Sequence, residues 1–217
     1  MCAQFSLKIK TDVLSVKYGV SVPSGLEAID ERFLPYRTAP TIVKVKEELK
    51  LTGMSFSLVP SWAKEPKVKF ATHNARIETI LEKPTWRTPF QNQHCIVPLT
   101  SFYESAYEGP MAGNILEFAN VKEDALFAAG IFDVWSDPVT DKKLFSFSIV
   151  TTEPTKFISD HGHDRSPLFL DFEKAKSWLT MAKDPKKMVD FLIENNQRPD
   201  LSVQIDRPLK TGWEKRK

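Results

Sequence analysis

The chain has only two cysteines and four histidines among its 217 residues, and no apolar run near the length of a membrane span. Each scarcity excludes something. Cys95 lies in "HCIVP", which reads as a buried strand, and a buried free thiol is the ordinary state of such a residue. A Cys2–Cys95 bridge is therefore not expected. Two free thiols suit a reducing, intracellular setting, cytoplasm or nucleoid. The opening "MCAQFSLKIK" lacks the apolar core of a signal peptide, and no membrane partner is expected. His161 and His163 flank a glycine, but a zinc site needs three or four ligands and no second Cys/His cluster is present. His94 and Cys95 are strand neighbours and point to opposite faces. Neither metal nor cofactor is expected. A net charge of +2 excludes a histone-like polycation, though not a local basic groove. With no repeat, low-complexity block or Gly/Ser linker, residues 2–217 read as one domain and as a monomer. The polar tail after about residue 206 reads as loose, its lysines as solubilising.

What is present is a succession of short strands with a few helices. "FSLKIK", "TIVKVK" and "MSFSLVP" alternate apolar and polar residues, as half-buried strands do. "HCIVPLTSFYES", "ALFAAGIFDVW", "LFSFSIVTT" and "LSVQI" are further β-rich runs. "TDVLSVKYG" reads as a short helix capped by Thr11, and "NARIETILEK" as a helix capped by Asn74. "DFEKAKSWL" and "DPKKMVDFLIEN" are the clearest helices, each with an Asp before its first turn, the second with Pro185 where proline is welcome. The pattern predicts an α+β fold with a mainly antiparallel, curved or barrel-like sheet and flanking helices.

Four polar residues stand beside apolar runs, where a solvated surface would not put them: Cys2, Asn74, Glu104 in "SFYES" and His163 in "DHGHDRSP". Taken singly, each has a plainer reading: a chance cysteine, a helix cap, a surface acid, a loop histidine. Taken in order, "MCAQF", "APT" from Ala39, "FSLVPSW" ending at Trp62, "NARIET", "HCIVPLTSFYES", "AGIF" from Ala129, "TT" from Thr151 and "HDRSP" resemble the SRAP family, the SOS response-associated peptidases regarded as abasic-site processing proteins. The resemblance runs from Cys2 to about Ile205. The chain departs from the family pattern at Ala3 and Gln4 (family Gly and Arg), at Phe56 and Ser57 (Trp and Gly), at Ser105 (Trp) and at Ser166 (Met).

The resemblance implies a DNA-damage function. With Met1 removed, by the protein itself in the family's view, Cys2 owns both an α-amine and a thiol. An amine with a pKa near ~7.7–8.0 is partly unprotonated at neutral pH and can attack the ring-opened aldehyde of an abasic site. The thiol then closes a thiazolidine, an intramolecular step with an effective molarity of about 10⁵ M or more. Glu104 would act as general acid/base, His163 would protonate the sugar oxygen or stabilise the imine, and Asn74 would hold the N-terminal residue. The same imine would permit strand cleavage as an AP lyase. Single-stranded DNA is the expected partner, because no unpairing cost applies. Arg76 and Arg165 would meet phosphates, Trp62 would stack on a base or sugar, and Pro40 would wedge against the strand. Two alternatives stand beside this: a cysteine-type peptidase hydrolysing proteins, and a non-enzymatic single-stranded-DNA binding module.

Overall fold

The structure, a computed structural model, describes residues 2–122, 124–182 and 184–216. The expected removal of Met1 falls on a residue outside those described. The chain runs through β1 (Gln4–Lys10), β2 (Val20–Ser21), β3 (Ala28–Phe33), β4 (Thr38–Val45), β5 (Glu48–Phe56), β6 (Asn74–Arg76), α1 (Pro84–Asn92), β7 (His94–Leu99), β8 (Ser101–Ala106), β9 (Asn114–Asn120), β10 (Leu126–Ser136) and β11 (Lys143–Thr152). It continues through α2 (Lys156–Asp160), β12 (Ser166–Pro167), β13 (Phe169–Leu170), α3 (Phe172–Leu179), α4 (Pro185–Glu194) and β14 (Leu201–Pro208). The fold is α+β in a single domain, and its pairing is mainly antiparallel.

Strands β4, β5, β7, β10 and β11 close a five-stranded barrel, because β11 pairs with β10 on one side and, in parallel, with β5 on the other. Every residue of β7 is buried. Such a strand has no solvent face, so "HCIVPL" carries an unbroken apolar run instead of alternation. The second sheet, ordered β14-β9-β8-β1-β3, is antiparallel throughout. Phenylalanines join the two. Phe5 of β1 meets Phe56 of β5 edge-on at 5.3 Å between ring centroids, and Phe56 stacks on Phe147 of β11 at 5.2 Å. All three are fully buried, each contributing roughly 1.5–3 kcal/mol.

The two clearest helices form as read. Asp171 caps α3 by accepting from the Lys174 N–H, and Asp184 caps α4 by accepting from the N–H groups of Lys186 and Lys187. Two other expectations are met in part or corrected. "TDVLSVKYG" is helical as read, in π form over Val13–Lys17, but the Thr11 hydroxyl donates to the carbonyls of Leu26 and Glu27 and caps nothing there. "NARIETILEK" is not a helix. Asn74–Arg76 is strand β6, paired in parallel with Ile149–Thr151 of β11, followed by a 3₁₀ turn over Ile77–Thr79. Ladder pairing to a strand 75 positions away in sequence overrides the local helical spacing. Beyond β14, Leu209 N–H donates to the Gly113 carbonyl and Trp213 packs near Tyr107, so the described part of the tail folds back on the second sheet.

Candidate active site

The two sheets deliver the four singled-out residues to one place. Strand β1 pairs with β8 in a register that sets Gln4 against Tyr103, so the residues preceding β1 run alongside Glu104 and Ser105. That brings in Cys2 and Glu104 from the second sheet. Asn74 comes from β6 on the barrel. His163 comes from the loop between α2 and β12, and β12 pairs with the same β11 that holds β6. Cys2 is fully buried, and Glu104, His163 and Asn74 are 2%, 4% and 5% exposed. Polar groups this deeply buried need partners.

The Asn74 side-chain amide donates to the Cys2 carbonyl at 3.0 Å, and the Cys2 thiol donates weakly to the Gln4 carbonyl at 3.6 Å. Asn74 is thus a clamp on the second residue. His163 Nε2 lies 3.0 Å from Glu104 Oε2, and its Nδ1 lies 2.9 Å from the Ser105 carbonyl oxygen. A carbonyl can only accept, so Nδ1 carries a hydrogen and donates. Nε2 and Oε2 are thus within hydrogen-bond distance, a buried acid–base pair. Burial, reinforced by the Glu104 charge, pushes the Cys2 thiol well above its ordinary pKa. The sulfur is a neutral thiol at neutral pH.

The backbone around this cluster is constrained. Gly162 has φ +81°, and a Cβ there would lie 2.1 Å from the Glu108 carbonyl oxygen. The glycine of "HGH" therefore serves close backbone approach next to His163. Among the described residues no group of three or more Cys, His, Asp or Glu could hold a metal ion. Ser57, where the family pattern has glycine, has φ +115°, and its buried hydroxyl has no hydrogen-bond partner among the described residues. A non-glycine residue at that φ stores on the order of 1–3 kcal/mol.

The residues expected to meet DNA fall at different depths. Arg76 is exposed at the end of β6. Trp62 is 59% exposed, just after β5. Pro40 is half-buried in β4 and lines a shallow cavity of about 220 Å³ with Leu26 and Phe33. Arg165 is buried, and its two terminal nitrogens bond both carboxylate oxygens of Glu78 at 3.0 and 2.9 Å. A phosphate would have to compete with that carboxylate.

Sequence reasoning passed over two features here. His73, next to Asn74 in "THNARIET", sits edge-on to Phe56, and burial holds its pKa below the ordinary histidine value. The segment between Trp62 and His73 exposes Lys64, Lys67 and Lys69, and Lys67 lies 4.8 Å from the centroid of the Tyr36 ring. The lysines of "WAKEPKVKF" were the available signal for that basic stretch.

A single α+β domain holding its second residue, a cysteine, against a buried acid–histidine pair is the class this geometry defines. The family profile described as "SOS response associated peptidase (SRAP)" matches residues 1–205, and the chain belongs to the SRAP family. It is 30% identical over 206 residues to a Bacillus subtilis protein named abasic site processing protein YoqW, covering 94% of this chain and 91% of that one. It is 33% identical over 187 residues to the same organism's abasic site processing protein YoaM, covering 82% and 79%. A solved structure from Bordetella bronchiseptica superposes with a TM-score of 0.77 at 19% identity, covering 95% of this chain and all of that one. A Bacteroides thetaiotaomicron structure gives 0.74 at 24%, covering 95% and 92%.

Proposed function

We propose that this chain processes abasic sites in single-stranded DNA by capturing the ring-opened sugar aldehyde covalently on Cys2. The reading requires Met1 to be hydrolysed away, giving Cys2 a free α-amine. The amine nitrogen attacks C1′ of the aldehyde, and water leaves to form an imine. The thiol S–H then adds across the C=N bond, sulfur to carbon and hydrogen to nitrogen, closing a five-membered thiazolidine. One water is lost overall. The Glu104–His163 pair supplies the proton that the departing water needs and takes back the one the nucleophile sheds. Asn74 fixes the Cys2 carbonyl and so orients the amine and sulfur on adjacent carbons. A neutral thiol suits this sequence, since sulfur gives up its proton only as it bonds. The same imine acidifies the neighbouring C2′–H, and loss of that proton with cleavage of the C3′–O bond gives an AP-lyase side activity.

The observation that carries the reading is the convergence of Cys2, Asn74, Glu104 and His163, from four separate segments, on the head of the chain. The names of the YoqW and YoaM relatives point to the same lesion. Arg76, Trp62 and the lysines that follow it would hold the strand, by phosphate contact and stacking. Pro40 would lie against the unstacked strand, and Arg165 would reach a phosphate only if Glu78 released it. Location inside the cell, as a monomer, follows from the same reading; no helix among the described residues is long and apolar enough to cross a membrane.

A cysteine peptidase is less well supported. Such an enzyme uses a thiolate paired with histidine, whereas here the thiol is held protonated and His163 Nε2 faces Glu104. The test is a denaturing gel of protein incubated with a labelled abasic single strand. Wild type yields a slow-migrating covalent species, and Cys2→Ala yields none. An undiminished species in Cys2→Ala would refute the proposal.

A further inference from the structure

A further cavity is lined by two residues, Gln4 and Ser105, whose backbone carbonyls bond members of the buried cluster. It has a volume of about 390 Å³ and is lined by Gln4, Ser105, Tyr107, Arg207, Lys210 and Trp213 among others. Two of these touch the site directly. Gln4 accepts the Cys2 thiol bond on its carbonyl, and Ser105 accepts the His163 bond on its own. The space lies where this chain departs from the family pattern. Ser105 lines it where the family pattern has a tryptophan.

The lining combines cations with flat rings. Gln4 stands where the family pattern has arginine, yet guanidinium groups are still gathered there. The Gln4 side-chain oxygen accepts from Arg32 of β3, at 3.0 and 2.6 Å, and from Arg207 of β14, at 3.3 Å. Asp206 neutralises part of this charge. It takes Arg32 in a two-pronged pair at 2.8 and 3.0 Å and meets Arg207 at 2.6 Å. Lys210 is exposed and has no ion-pair partner among the described residues. The charged residues that line the cavity itself, Arg207 and Lys210, are both cationic.

Trp213 supplies the ring. Gly113 has φ +85°, and a Cβ there would sit 3.1 Å from Trp213 Cζ2, so the indole is seated against bare backbone. Tyr107 lies 6.5 Å away, centroid to centroid, tilted by 40°. An aromatic wall with a guanidinium and an ammonium at its rim fits a base with its phosphate.

We infer that this cavity binds the nucleotide flanking the abasic residue, its base against Trp213 and its phosphate on Arg207 and Lys210. The inference rests on the proposed function for the identity of the lesion-bearing strand. It adds a strand-holding subsite whose lining includes neither Trp62 nor Arg76.

The probe is undamaged oligothymidylate, titrated by fluorescence anisotropy against wild type, Trp213→Ala, Trp213→Phe and Lys210→Glu. Stacking on one base is worth about 1–3 kcal/mol, so Trp213→Ala weakens binding roughly 5- to 150-fold while Trp213→Phe stays close to wild type. Lys210→Glu lowers the slope of log K against log salt by about 0.7 or more, the loss of at least one phosphate contact. Lys210 is exposed, so that variant remains informative if Trp213→Ala melts early. Wild-type affinity and salt slope in both Trp213→Ala and Lys210→Glu would overturn the inference. A parallel capture assay with an abasic strand separates the two readings. Strand binding that depends on Trp213, with no covalent species from wild type, refutes capture and supports the subsite.

Discussion

The buried cluster and the surface around it are built on opposite principles. Cys2, Asn74, Glu104 and His163 are shut from water, tied to backbone carbonyls and to one another, and set by pairing between strands. Trp62, Arg76 and Lys64, Lys67 and Lys69 are exposed, on short strands and connecting segments. Chemistry on a carbonyl needs fixed geometry and few waters. A grip on a polyanion of variable sequence needs charge, rings and latitude. None of the departures from the family pattern falls on the four clustered residues, although Phe56, Ser57 and Ser166 are themselves buried.

If the division is sound, damage to each region has a different signature. The largest effect belongs to Glu104→Gln, which keeps the shape and removes the carboxyl group that gives and takes a proton. Covalent capture slows by about 10²-fold or more, while affinity for an undamaged single strand changes less than twofold; capture is followed by quenched single-turnover gels and affinity by anisotropy. Trp62→Ala does the reverse. Strand affinity falls by roughly 5- to 150-fold, and the capture rate at saturating DNA is unchanged. A capture defect at saturation would place Trp62 in the chemistry and erase the boundary drawn here.

Smaller effects test the frame that holds the cluster. Ser57→Gly relieves a non-glycine φ of +115° and removes an unpartnered buried hydroxyl. The variant gains about 1 kcal/mol, a rise of roughly 2–4 °C in melting temperature by calorimetry. A drop would mean that Ser57 has a partner in the working protein. Acid acts through His73 and His94, both held by burial below the ordinary value of 6.5. Between those depressed values and 6.5, the unfolded chain binds more protons than the folded one. Stability is therefore full above about pH 6.5 and falls as the pH drops below it. The urea midpoint decreases from pH 7 to pH 5.5, and the decrease is smaller in His94→Gln.

The four buried residues were legible because each sits in a short motif next to an apolar run, in a recognisable order. Their arrangement was not. Asn74 reads as a helix cap because Ile77, Ile80 and Leu81 have helical spacing, and nothing local reveals that Asn74 pairs opposite Ile149. Arg165 reads as a free cation because its partner Glu78 is 87 positions away. Strand β3, "AIDERF", escaped notice because three charged residues stand in a row and only Ile29 and Phe33 are buried. Strand β9 was missed as well, and the inward folding of Trp213 is invisible in "GWEKRK". Long-range pairing settles all of these, and single-sequence patterns carry little of it.

The central claim is that one residue at the head of the chain supplies both bonds to the lesion. Intact-mass spectrometry of the protein with an abasic oligonucleotide tests it most directly. The account predicts a species weighing the chain without Met1 plus the oligonucleotide less one water, with peptide mapping placing the link on Cys2. A covalent species that retains Met1, or whose link maps to a lysine, would contradict it.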